Sequence, residues 1–169
     1  MRNSLLSASI VTIVFGMVVI AALGAHAESP LVVKVESAIR SAEPGWRYIR
    51  AVLNAPPPLV PSERLLVLDT WDHPSGRGTR ESVDVMISQV DSRTDGKLSL
   101  SPVRKGKVAK DWTVETFRIG DEGYLCTFTN AGRLAIHFRK GMIVVRVSSD
   151  WFPLVKEFAQ LVAAQIDTT

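Results

Sequence analysis

The stretch YLCTFTNAGRLAIHFRKGMIVVRV, Tyr124 to Val147, decides the fold, because two turn signals cut it into three runs of strand-forming residues. Asn130-Ala131-Gly132 reads as a three-residue turn with Gly132 left-handed, and Lys140-Gly141 as a two-residue turn. That pairing sets Phe128 against Leu134, Cys126 against Ile136 and Tyr124 against Phe138. Across the second turn it sets Phe138 against Ile143, Ile136 against Val145 and Leu134 against Val147. All of these share one side of a sheet, while Leu125, Thr127, Ala135, His137, Arg139, Met142, Val144 and Arg146 take the other. A one-residue slip inverts every side chain, so a single consistent apolar face predicts an antiparallel meander with Cys126 in its core. Gly120-Asp121-Glu122-Gly123 supplies a third turn and brings Thr116 to Ile119 alongside as another strand.

An apolar sheet face needs a cover. Downstream, Ser149-Asp150 reads as the cap of a helix whose Trp151, Leu154, Val155, Phe158, Leu161, Val162 and Ile166 recur at helical spacing. Upstream, Ser29-Pro30 opens a second helix with Leu31, Val35, Ala38, Ile39 and Ala42 on one face, closed by Glu43-Pro44-Gly45. Trp46 to Leu53, Leu65 to Trp71 and Ser82 to Val90 read as strands. Residues 54–62 hold Pro56, Pro57, Pro58 and Pro61 and predict an extended connector, and 74–78 a flexible hairpin loop. Residues 91–110, interrupted by Gly96, Pro102 and Gly106, predict one long irregular loop. The expectation is an α+β domain: about six antiparallel strands in a meander, with the N- and C-terminal helices packed on one face.

The first 27 residues carry only Arg2 as a charge, then an apolar run from Leu5 to Leu23, then Ala25-His26-Ala27. This is the layout of a secretory signal cleaved after Ala27. The run is also long enough to span a bilayer as an uncleaved anchor, which is the alternative. Either way the domain, residues 28–169, is expected outside the cytoplasm, secreted or periplasmic, and the membrane is involved only through the N-terminal segment if it stays. A chain of this length buries a core without staples, and its 46% hydrophobic and 22% charged residues exclude disordered and fibrous classes. With 20 basic and 17 acidic groups in all, and Arg2 removed, the domain is nearly neutral, which argues against a nucleic-acid partner. The single cysteine, Cys126, excludes an intrachain disulfide.

The segments GDEGYLCTF, residues 120–128, and LAIHFRKGMIVVRVSS, residues 134–149, resemble the closing hairpins and terminal helix of uncharacterised exported bacterial domains. The resemblance implies the fold and no activity, cofactor or site residue.

Chemistry-bearing motifs are sparse. Asp69, Asp72 and His73 form the nearest approach to a metal or catalytic cluster, yet Asp72 and His73 read as solvated residues of the hairpin loop, and no metal or cofactor is expected. No Gly-x-Ser-x-Gly elbow is present, and the register above places His137 on the side of the sheet opposite Cys126, which disfavours a Cys-His pair. The basic run Arg104, Lys105, Lys107 and Lys110 reads first as a solvated loop and alternatively as a contact for an acidic lipid or polymer, each charge contributing on the order of 1 kcal/mol. Trp71 and Trp112 stand at predicted strand ends and offer a rim for a ligand or partner. The expected function is therefore an exported noncatalytic binding or accessory domain of the cell envelope, engaging an envelope protein, lipid or polymer. The alternative is a small envelope enzyme with its site near Asp72 and His73.

Overall fold

A computed structural model of the chain describes residues 29–51, 57–74, 80–106, 111–128 and 132–167. The signal segment, the prolyl stretch 52–56, the hairpin tip 75–79, Lys107 and Lys110 lie outside the described residues. Seven strands form one open antiparallel sheet: β1 (Arg47–Ala51), β2 (Arg64–Pro74), β3 (Arg80–Gln89), β4 (Trp112–Thr116), β5 (Glu122–Phe128), β6 (Leu134–Lys140) and β7 (Ile143–Ser149). Their order is β1-β2-β3-β7-β6-β5-β4. Two meanders, the first three strands and the last four, therefore meet along the β3–β7 seam, where Val85 pairs with Val147 and Ile87 with Val145. Among the described residues the strand count is seven against the expected six or so.

Helices α1 (Pro30–Ala42) and α4 (Phe152–Gln165) cover one face, as the periodicity predicts. Ile39, Phe158, Ala159 and Val162 close over Trp71, Val83, Val85, Ile87, Ile136, Phe138, Val145 and Val147, all in one buried cluster. Each large apolar side chain moved from water to this layer contributes roughly 1.5–3 kcal/mol, which makes it the main source of stability. The last helix starts later than Ser149-Asp150: its N-cap is Trp151 in an extended conformation, Pro153 falls in the first turn, and Trp151 is 53% exposed instead of packed. Pro153 is tolerated there because a first-turn N–H has no partner inside the helix to lose.

The expected irregular loop 91–110 is corrected over its described part, residues 91–106, while 107–110 lie outside the described residues. It holds α2 (Arg93–Ser99) and α3 (Ser101–Arg104). Ser92 caps α2 by accepting from the backbone N–H of Asp95 at 3.0 Å, and Pro102 starts α3 where a proline costs no hydrogen bond. Gly96 is there for space, since a Cβ would sit 2.5 Å from Cδ of the buried Arg139. These helices pack on the second face of the sheet, with Leu100 against Val90 and Val144, and Val103 against Cys126 and Ala135.

The register of the β5–β6 hairpin is also corrected. Thr127 pairs with Leu134, Cys126 with Ala135 and Leu125 with Ile136. Pairing closes on Phe128 and Arg133, where the Phe128 N–H donates to the Arg133 carbonyl at 2.8 Å, leaving four positions, 129–132, between them. One residue more than the expected turn changes the parity, and every side chain of β5 changes face. Leu125 joins the α1/α4 layer, while Tyr124 and Cys126 turn to the α2/α3 layer. The β6–β7 hairpin keeps its expected faces, because its shift is two residues: Phe138 pairs with Val145 and Ile136 with Val147, with Gly141 left-handed at φ 61° in the turn. The last strand before β5 runs from Trp112 to Thr116, ahead of the expected 116–119.

Candidate functional site

The second face is where the chain concentrates polar groups without exposing them. Alternation along β6 sends Leu134, Ile136 and Phe138 to the main core and Ala135, His137 and Arg139 the other way. Along β7 it sends Ile143, Val145 and Val147 to the core and leaves Val144, Arg146 and Ser148 on the second face. The register sets His137 directly opposite Arg146. Directly opposed side chains on neighbouring strands approach to about 5 Å at Cβ, so the imidazole and the guanidinium share one environment.

Above them lies a cavity of about 320 Å³. Its floor is Met86, Ser88, His137, Val144 and Arg146 from the sheet; its far wall is Ser99, Leu100, Pro102 and Val103 from α2 and α3. The remaining side comes from the segment leading into β2, with Pro57, Pro58, Leu59 and Glu63, and from Leu65 at the start of that strand. The Glu63 carboxylate is held at this edge, where Oε2 accepts from the Leu59 N–H at 3.0 Å and from the Ser99 hydroxyl at 3.1 Å. Trp112 on β4 does not line the cavity but holds its ring edge-on to His137 at 6.4 Å between centroids.

The electrostatics of the floor are set by burial. His137 is only 8% exposed, and its Nε2 is buried with no hydrogen-bond partner. Loss of water, followed by the adjacent Arg146 charge, pulls its pKa down to about 3, so the ring is neutral across the physiological range. Burial lowers the pKa of Arg146 too, with Arg133 adding to the effect and Asp84 opposing it. Its Nε is buried without a partner. Asp84 is engaged elsewhere, accepting from the Thr70 hydroxyl at 2.8 Å and from Arg133 Nη2 at 3.1 Å. Cys126, fully buried in the neighbouring cluster, has its thiol pushed up to about 11 by loss of water, with Arg146 acting in the opposite direction.

His137 and Cys126 therefore lie on the same face of the sheet, contrary to the expected register. The correction does not create a catalytic pair. A thiol with a pKa near 11 stays protonated, and an imidazole with a pKa near 3 is a poor base for removing its proton.

The remaining sequence-derived candidates scatter. Trp71 is fully buried in the α1/α4 layer, flanked by the edge of Tyr48 and covered by the Arg40 guanidinium at 5.2 Å, so it forms no surface rim. Trp112 is half-buried and packs on Phe128 and on the cavity-lining His137. Arg104 and Lys105 are exposed at the end of α3, directly after the cavity-lining Pro102 and Val103. Asp72 and His73 belong to strand β2 and not to a loop. Asp72 is buried, and the His73 ring stacks near Trp46 at 5.5 Å. Among the described residues no three His, Cys, Asp or Glu side chains gather closely enough to hold a metal ion. Among them, too, no helix is long and apolar enough to cross a membrane.

The residues that the sequence reading passed over are His137, Arg146 and Glu63. Two of them carry a detectable signal: His137 is set among Leu134, Ala135, Ile136 and Phe138, and Arg146 among Val144, Val145 and Val147. Comparison with protein-family models, curated proteins and solved structures finds no match for this chain, so the site is argued from its own geometry.

Proposed function

We propose that the chain is an exported, noncatalytic binding or accessory domain of the bacterial cell envelope, which holds a small, largely apolar ligand between the second sheet face and α2/α3. The observation that carries this reading is the 320 Å³ cavity roofed by two short helices and floored by a histidine whose Nε2 is buried and unpartnered. Ligand sites are commonly concave and mostly apolar, with a few polar groups that fix orientation, and this cavity has that composition at the small end of the usual size range. The weak basicity of His137 and the protonated thiol of Cys126 favour binding over turnover. Export is supported by the N-terminal layout of one charge, a long apolar run and Ala25-His26-Ala27. Arg104 and Lys105, exposed beside the cavity, suit a contact with an acidic envelope component. The alternative, an enzyme using Asp72 and His73, draws less support, because neither residue lines the cavity and His73 is packed between Trp46 and the close approach of Gly45.

The test is to recover the protein from the envelope fraction without denaturation, identify its N-terminus, and analyse an organic extract for small molecules. A chain starting at Glu28 that carries a stoichiometric amphipathic compound, lost when Val144→Phe narrows the cavity, supports the proposal. A cytoplasmic pool starting at Met1, with nothing bound, contradicts it.

A further inference from the structure

We infer that the cavity is built for a monocarboxylate with a compact apolar body, whose carboxylate is gripped jointly by Arg146 and His137; this deepens the binding reading above and rests on it. The two residues are opposed across β6 and β7, and both line the cavity. Each has a buried nitrogen without a protein partner, Nε of Arg146 and Nε2 of His137. Buried polar atoms in folded proteins are almost always bonded, and these two orphans belong to residues that line the cavity, so the chain leaves both side chains with unused hydrogen-bonding capacity beside it.

The charge balance selects a single negative charge. Arg146 is a cation partly removed from water, and no carboxylate among the described residues lies within ion-pair distance of it, since Asp84 is bound to Arg133 and Thr70. His137 adds no charge; with its proton on Nε2 it donates one hydrogen bond. A planar guanidinium fork matches a planar carboxylate, and the imidazole supplies a further donor beside it. Glu63 at the opposite edge repels a second negative charge and disfavours a dianion such as phosphate. The remaining wall, Met86, Leu100, Val103 and Val144, is apolar and suits a short aliphatic or aromatic body.

The test is titration calorimetry of the exported protein with three probes of equal length, octanoate, 1-octanol and octylamine, together with NMR of the His137 ring. Octanoate is expected to bind at least about tenfold tighter than 1-octanol, and to move the His137 ring resonances. Arg146→Gln is expected to remove that preference, weakening octanoate about tenfold and 1-octanol less than twofold, with Arg146→Lys in between. Equal binding of octanoate and 1-octanol, indifferent to Arg146→Gln, overturns the carboxylate assignment and leaves the cavity reading standing. Tightest binding by octylamine also overturns it and makes Glu63 the governing charge. No binding by any probe, with the His137 ring unmoved in the wild-type protein, contradicts both the assignment and the cavity reading. The ring measurement needs no variant, so a misfolded Arg146→Gln protein does not protect the inference.

Discussion

His137 on β6 stands directly across from Arg146 on β7, on the sheet face turned toward α2 and α3, with the imidazole almost wholly removed from water. A neutral histidine beside a cation is a poor structural choice unless something else benefits, because the Arg146 charge adds to burial in keeping the imidazole from taking up a proton. That relationship links the fold to the proposed function and generates the first prediction.

Stability should fall with acid through His137. Its folded pKa of about 3 lies below its ordinary value of 6.5, so the unfolded chain binds the proton more readily. Stability is then fully present above about pH 6.5 and lost progressively as the pH falls toward 3, by up to roughly 5 kcal/mol. Urea unfolding of wild type and His137→Gln at stepped pH checks this. The variant's stability should change less over that window, with the difference between the two narrowing as the pH falls.

Cys126 should be chemically silent. It is fully buried, and its thiol is pushed up to about 11. A thiol reagent at pH 8 should label it at a negligible rate in the native protein and within seconds in denaturant. Prompt native labelling would open the second-face layer that α3 is described as covering.

Arg139 depends on Asp121. Its buried Nη1 donates to Asp121 Oδ2 at 2.8 Å and to the Gly141 carbonyl at 3.0 Å, while Asp121 Oδ2 also accepts from the Gly141 N–H at 2.9 Å. That backbone bond, helped by Arg139, holds the Asp121 carboxyl below its ordinary value. Asp121→Ala leaves the guanidinium short of an acceptor and frees the β6–β7 turn, and should cost about 2 kcal/mol in denaturant unfolding at pH 7. For the wild type this contribution is present above pH 3.8 and disappears as the pH falls below it.

Gly120 should tolerate no side chain. Its φ is 60°, and a Cβ there would collide with the Arg139 carbonyl oxygen. Gly120→Ala combines a left-handed backbone cost of about 1–2 kcal/mol with a displacement of β6, and should destabilise the protein by at least about 2 kcal/mol. Gly132, left-handed with nothing near its Cβ, should cost only the backbone share.

The α1/α4 layer was legible because helical periodicity in 30–42 and 152–165 depends on spacing alone, and burial of Ile39, Phe158 and Val162 follows from it. The β6–β7 faces survived a misplaced turn because the error was even. The β5 face did not survive, because an odd error in one turn reverses a strand, and Cys126 is small and apolar enough to fit either side. The site was hidden for a different reason. His137 and Arg146 looked like an ordinary polar exterior until α2 and α3, read from Gly96, Pro102 and Gly106 as a loop, turned that exterior into a cavity floor. Local breakers cannot reveal that a glycine is making room for Arg139, or that a proline is starting a helix.

The most direct measurement is an NMR titration of the His137 ring between pH 8 and pH 4. The second-face cavity with a neutral, buried imidazole opposite Arg146 predicts ring resonances that stay flat throughout that range. A transition centred near 6.5 would place His137 in water and remove the floor on which the proposed binding site stands.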